Sequence, residues 1–346
     1  MPVIYIREQG TMLCKRGERL VVTKNDRVLL DQPLIGVDGD SVFGNVQIST
    51  QAAVMLMERG IDVSLFSYSG KYLGHLVSDK SKNIFLRMTQ YAVYQDEEKR
   101  LQIARGIVRN KIDNQISVIR QHRFRDTFPW KEDVALLVDY RDRLNQQKTA
   151  NEILGIEGIC SNVYFHSYGA MFKSNIKFEK RSRRPPKDPA NVILSLAYTL
   201  LTKEVCGVLD AESFEPYLGF LHGVRYGRKS LALDIVEEFR QPMADRLVLK
   251  VFNKRILSEY DFEYDEDNQI VLSKEGFRRF CMAYEKWITG RDVTSGDRSF
   301  RSRIRQQSAH LKSSLLKGQI YKPYKWKQSD VSDGILSGNL AGAWTE

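Results

Sequence analysis

The chain has 346 residues, 42% of them hydrophobic, and its 53 Lys and Arg against 43 Asp and Glu give a net charge of +10. That size allows one large core or two modest ones, and the charge fits either a partner that is a polyanion or plain solubility. No run of about 18 apolar residues speaks for a membrane span, the start Met1-Pro2-Val3-Ile4-Tyr5-Ile6 has no basic region of a signal peptide, and the four cysteines hold no CxxC pair of a zinc ribbon.

Taken in chain order, the first part reads as short strands at Val3–Ile6, Met12–Cys14, Leu20–Val22 and Val28–Leu30, the last two joined by the turn Lys24-Asn25-Asp26-Arg27. Residues 36–45, rich in Gly and Asp, are predicted as turns. Ser49-Thr50 offers an N-cap for a helix through Met57, stopped by Gly60. Ile61, Val63 and Leu65 alternate as a strand, followed by Tyr72-Leu73. Residues 1–80 hold nine basic and nine acidic residues, so all the excess positive charge lies beyond them.

After a polar linker at 79–84 the pattern becomes helical. One long stretch from Ile84 to His122 is interrupted only by Gly106, and helices are expected at 134–144 and 150–172. Asp188 with Pro189 opens another helix, to about Val205. Further helices are expected at 213–221, 230–239 and 244–256. A hairpin follows at 262–272, then a helix from Lys274 to Thr289 that closes the packed region. Residues 298–327 carry nine Lys or Arg and no acid, and 328–346 read as disordered. The predicted class is α+β, a small β-rich N-terminal domain followed by a larger α-helical catalytic domain. Its boundaries are 1–78, 85–290 and a basic C-terminal segment 291–327. Cys14, Cys160, Cys206 and Cys281, widely spaced, read as reduced thiols in a cytoplasm.

Five side chains stand out for chemistry. Glu157 lies in the apolar, Gly-flanked run Leu154-Gly155-Ile156-Glu157-Gly158-Ile159, where a carboxylate needs either a cation or a buried salt bridge to an arginine. His222, beside Phe220 and Leu221, is either a core or turn histidine or a ligand. Asp234, Glu237 and Glu238 fall at i, i+3 and i+4 of one helix, where like charges repel. A divalent ion would neutralise them, and so would pairing of an exposed face with Arg240 or Arg246. Carboxylates with one imidazole and no thiolate suit Mg2+ or Mn2+ rather than Zn2+. Such an ion beside a phosphodiester polarises the phosphorus and activates a nucleophile. Residues 173–187 add seven Lys or Arg against Glu179 alone, among them Arg181, Arg183, Arg184 and Lys187, with aromatic rings nearby, a pattern suited to phosphates or to a solvated loop. Tyr321-Lys322-Pro323-Tyr324-Lys325-Trp326-Lys327 alternates base and ring, and either clamps a single strand or docks the tail on the core.

Several of these runs occur together, in order, in one known family. Leu154-Gly155-Ile156-Glu157-Gly158, the run Arg181 to Asn191, Gly219-Phe220-Leu221-His222 through Arg225-Tyr226-Gly227 to Asp234, and Glu237-Glu238-Phe239-Arg240 resemble the CRISPR-associated spacer-acquisition endonuclease, or "Cas one", family over about residues 3–327. The resemblance implies a metal held by Glu157, His222 and Glu237, with Asp234 close by. Gly223 departs from the acidic residue frequent after the histidine. It further implies a DNA endonuclease and integrase that inserts protospacers beside a CRISPR repeat. A homodimer through the β-rich domain and a small ferredoxin-like "Cas two" partner also follow. DNA contacts are expected at Arg181, Arg183, Arg184, Lys187 and Lys325. The alternative is a scaffold that binds DNA without catalysis.

Overall fold

The computed structural model describes residues 3–35, 37, 39–76, 83–122, 128–173, 176–183, 185–290 and 299–326. The chain divides into two units, one within the first 80 residues and one from Ser81 onward. The predicted class, β-rich then helical, is the one observed.

Among its described residues, the first unit holds two four-stranded sheets and one helix. β1 (Val3–Ile6), β5 (Gly39–Phe43), β7 (Asp62–Phe66) and β8 (Tyr72–Leu76) form one sheet in the order β1-β5-β7-β8. β4 (Arg27–Pro33), β3 (Arg19–Lys24), β2 (Thr11–Arg16) and β6 (Val46–Ile48) form the other. The alternation read at 61–65 places Val63 in the core with Ile4, Ile6, Leu13, Leu20, Val22 and Leu56. Helix α1 (Thr50–Glu58) starts where expected, with the Ser49 side chain accepting from the Ala52 N–H at 3.2 Å. Residues 39–43 are a strand and not a turn. β5 is buried along its whole length between parallel neighbours β1 and β7, so its pairing and not its Gly39-Asp40-Ser41 propensity decides.

The second unit is built around α3 (Glu97–Gln121), which packs on α2 (Ile84–Gln95), α4 (Trp130–Arg143), α5 (Ala150–Gly169) and α7 (Ser230–Phe239). The expected break at Gly106 falls instead at Asp96, whose side chain caps the Lys99 N–H and restarts the ladder. Gly106 stays helical and faces Pro323, 3.7 Å from where its Cβ would stand. α5 begins with a reciprocal Thr149/Glu152 capping box, and α6 (Pro189–Ala211) with the Asp188 cap and Pro189 at its first position. By length and hydropathy α6 could cross a membrane, contrary to the reading that no such segment exists. Over half of its most apolar window is buried inside this unit.

The helix expected at 213–221 is absent. Pro216 lacks an N–H, and the N–H groups of Phe220, Leu221 and His222 bond to the Asp234 carboxylate instead of to a helical ladder. After α7 the chain widens into a π-helical turn over Arg240–Asp245, around Pro242, before α8 (Arg246–Asn253). The hairpin β9 (Phe262–Tyr264) and β10 (Ile270–Leu272) leads to α9 (Lys274–Thr289). The packed region does not close there, because α10 (Phe300–Lys317) continues it, ended by Gly318 at φ +61°. Within α10, Arg301 is buried and bonds Glu204 through two nitrogens at 2.9 Å, so that positive charge is matched internally. The segment expected to be disordered, 328–346, lies outside the described residues.

Candidate metal centre

The site assembles from three elements that meet at α3. α5 supplies Glu157, the loop before α7 supplies His222, and α7 supplies Asp234, Glu237 and Glu238. The exposed acidic face considered for α7 does not exist, since all three acids are buried. Nor do they converge on one cation; each has its own partner.

Asp234 is fully buried and serves the loop. Its Oδ2 accepts the N–H groups of Phe220 at 2.5 Å and Leu221 at 3.0 Å, while Oδ1 accepts the His222 N–H at 2.9 Å. Oδ1 also lies 2.8 Å from His222 Nδ1. A carboxylate meeting three backbone donors is an acceptor throughout, so Nδ1 carries the proton and the Nε2 lone pair is left for a ligand. Such carboxylate–histidine pairs orient metal-binding imidazoles. Gly219 is required here for space. A Cβ at that position would stand 2.7–2.8 Å from the Ser230 backbone and 2.8 Å from Asp234 Oδ2.

Glu237, 2% exposed, faces two cations. Arg240 lies 2.9 Å from its Oε1, and Lys111 Nζ lies 2.6 Å from its Oε2. Burial by itself would raise its pKa. Arg240, then Lys111 and His222, outweigh that and hold it down at about 2. Lys111 Nζ also pairs with Glu157 Oε1, which accepts from Ser161 Oγ at 2.9 Å. The cation beside Glu157 is thus a lysine from α3 and not one of the arginines considered. Lys111 was missed because its charge hides its position. It sits with Ile107, Val108 and Ile112 among the buried residues of α3, at the spacing of a core residue. A lysine on an apolar helical face was the available signal.

Glu238 looks the other way. It accepts Tyr321 OH at 2.6 Å and the Tyr324 N–H at 2.7 Å, and burial pushes its pKa up to about 8 despite those bonds. Tyr324 stacks on Phe239 with ring centroids 4.9 Å apart, and the Trp326 N–H bonds Asn114 Oδ1 at 3.0 Å. Residues 319–326 form a strap along α3 and α7 with Tyr321 and Trp326 buried, which settles that these rings dock on the core. Lys325 remains exposed, 3.2 Å from Asp113.

The basic strip also divides. Arg181 donates inward, to Asn191 Oδ1 at 2.8 Å and Ser195 Oγ at 3.0 Å, with its guanidinium over Tyr198. These internal partners hold a side chain that the sequence pattern offered to phosphates. Arg183 and Lys187 are exposed, and Arg184 lies outside the described residues.

Among the described residues no three of His, Cys, Asp and Glu stand close enough together to hold an ion as they are. The donor set nevertheless fits a hard divalent ion. Two glutamates face a common position that a lysine ammonium already occupies, and an imidazole is oriented by a buried carboxylate.

Comparison with known proteins agrees with the architecture. Residues 4–286 match the family described as CRISPR associated protein Cas1. The chain is 35% identical over 285 residues to CRISPR-associated endonuclease Cas1 3 of Thermus thermophilus, covering 82% of this chain and 83% of that one. It is similar to the solved structure of a CAS1 protein from Thermotoga maritima, with a TM-score of 0.81, 26% identity, and 93% of this chain and 100% of that one covered. A Cas6-RT-Cas1–Cas2 complex shares the fold, with a TM-score of 0.80 at 24% identity over 94% of this chain and 36% of that one.

Proposed function

The chain belongs to the CRISPR-associated Cas1 family, and from that premise we propose that it is a metal-dependent DNA endonuclease and integrase that inserts new spacers into a CRISPR array. The observation that carries this reading is the pair Glu157 and Glu237 about one buried cationic position, with His222, oriented by Asp234, near enough to Glu237 to act on its charge. Glu157, Glu237 and His222 Nε2 would hold Mg2+ or Mn2+. When bound, such an ion lowers the pKa of an attacking hydroxyl and stabilises charge on the phosphodiester oxygens.

The chain's own residues do the rest. Asp234 keeps His222 in one tautomer and one orientation. Arg240, stacked 4.7 Å over the Tyr198 ring, holds Glu237 Oε1 in place. Exposed Arg183 and Lys187 lie on the loop that leads to α6, where they would meet the DNA backbone. The family further implies a homodimer through the β-rich unit and a Cas2 partner, in a cytoplasm where the DNA is.

Strand transfer of a DNA 3′-end into a repeat-bearing duplex, followed with and without Mn2+, tests the reading. Glu157→Gln and His222→Ala are expected to abolish transfer and cleavage while keeping the helical signal. Asp234→Asn, which disturbs the imidazole and not the ligand set, is expected to lose about 10–100-fold. Turnover near that of the wild type in His222→Ala would sink the assignment.

A further inference from the structure

The proposed centre already contains a cation of its own. Lys111, 2% exposed on α3, reaches Glu157 from one side and Glu237 Oε2 at 2.6 Å from the other. We propose that Lys111 is a built-in counter-cation that competes with the divalent metal for the position between the two carboxylates, and so sets the metal affinity of the site below what its donors alone would give. This rests on the assignment of Glu157 and Glu237 as metal ligands.

Two carboxylates facing one position, one of them buried and the other partly so, repel, and without a cation one of them would be driven to take up a proton or to turn away. The lysine removes that penalty without any metal. Arg240 on Glu237 Oε1 and Ser161 on Glu157 Oε1 then keep the two carboxylates from drifting. A divalent ion needs the same oxygens at about 2.0–2.1 Å in the case of Mg2+. An ammonium within hydrogen-bonding distance of both carboxylates and a second cation between them would repel strongly. Metal entry therefore requires the ammonium to leave at least one of them. Lysine suits this role and arginine does not, because a point charge on a flexible stem can swing aside while a planar fork is committed to its geometry.

The sign of the effect separates this from a structural role. An ordinary buried lysine, when removed, loosens the site and weakens the metal. A competing lysine, when removed, leaves two unneutralised carboxylates that bind metal more tightly. The experiment titrates Mn2+ into the full-length protein without DNA, by calorimetry and by the electron paramagnetic resonance signal of free Mn2+. It compares wild type with Lys111→Met, Lys111→Gln and Lys111→Arg, and follows metal-free thermal unfolding alongside.

Lys111→Met and Lys111→Gln are expected to melt lower without metal, to bind Mn2+ about tenfold or more tightly than wild type, and to show a larger rise in Tm on saturation. Lys111→Arg, which keeps the charge, is expected to bind no more tightly than wild type. If Lys111→Met does not fold without metal, recovery of its helical signal on adding Mn2+ supports the proposal, and no recovery overturns it. Equal or weaker Mn2+ binding in folded Lys111→Gln overturns the proposal, and the ligand assignment stands if Glu157→Gln weakens binding. Unchanged binding in Glu157→Gln removes the ligand assignment, and the proposal with it.

Discussion

Position along the helix separates the three acids of α7 more than chemistry does. Asp234, Glu237 and Glu238 share one helix yet serve a loop, two cations and a strap, because a buried helix presents a different neighbour at each turn. The same division holds in the basic strip and leads to a prediction. Arg181 is committed to Asn191, Ser195 and the Tyr198 ring, whereas Arg183 and Lys187 are exposed. Arg183→Ala with Lys187→Ala is expected to leave Tm within a degree or two and to reduce the slope of log K against log salt for DNA by about two units. Arg181→Ala is expected to lower stability by roughly 1–3 kcal/mol by stranding buried acceptors. Salt-dependent DNA titrations beside denaturant curves distinguish them, and equal loss of slope from both variants would mean that Arg181 also meets the backbone.

Among the elements, the strap at 319–326 carries more than its irregular backbone suggests. It closes Glu238, Asn110 and Asn114 through hydrogen bonds from Tyr321 OH and the Tyr324 N–H to Glu238, from Asn110 Nδ2 and Asn114 Nδ2 to Tyr324 O, and from the Trp326 N–H to Asn114 Oδ1. Glu238 is the neighbour of Glu237, so the strap fixes the end of α7 from which Glu237 projects. Tyr321→Phe is expected to cost about 1–3 kcal/mol, the penalty of a buried carboxyl oxygen left without its donor. It should leave Mn2+ affinity nearly unchanged, because the Tyr324 N–H still holds Glu238. Urea unfolding read with a Mn2+ titration checks this, and a variant as stable as wild type would show that the strap is not held through Tyr321.

At the level of the whole molecule, the β-rich unit ends in four edge strands, β1 and β8 of one sheet and β4 and β6 of the other. Ile35 and Leu73, among its apolar residues, are 88% and 62% exposed. A unit of this size buries a limited core, and uncovered strand edges invite pairing. Charge balance over residues 1–80 gives it little reason to face DNA. The full-length protein is therefore expected to be a dimer at micromolar concentration, carrying the two centres that joining both ends of one DNA segment needs. Removing residues 1–78 is expected to yield a monomeric helical unit that still binds Mn2+ but no longer integrates two ends. Light scattering on the intact chain decides, and a single-chain mass alongside two-ended integration would refute it.

Much of this was open to reading without coordinates. Local signals that depend on neighbours in sequence were legible: the Ser49 and Asp188 caps, the 2-residue alternation at 61–65, the helix at 274–289, and the runs about Glu157 and His222 that mark the family. What sequence could not supply were pairings between distant segments. β5 is a strand because β1 and β7 flank it, residues 213–221 are a loop because Asp234 draws in their N–H groups, and Tyr321 is docked because Glu238 awaits it. Lys111 shows the limit most plainly. Forty-six positions separate it from Glu157, and a charge reads as solvent-facing until an opposite charge is known to lie against it. Local propensity decides what a segment prefers, and only packing in three dimensions decides which buried charges meet.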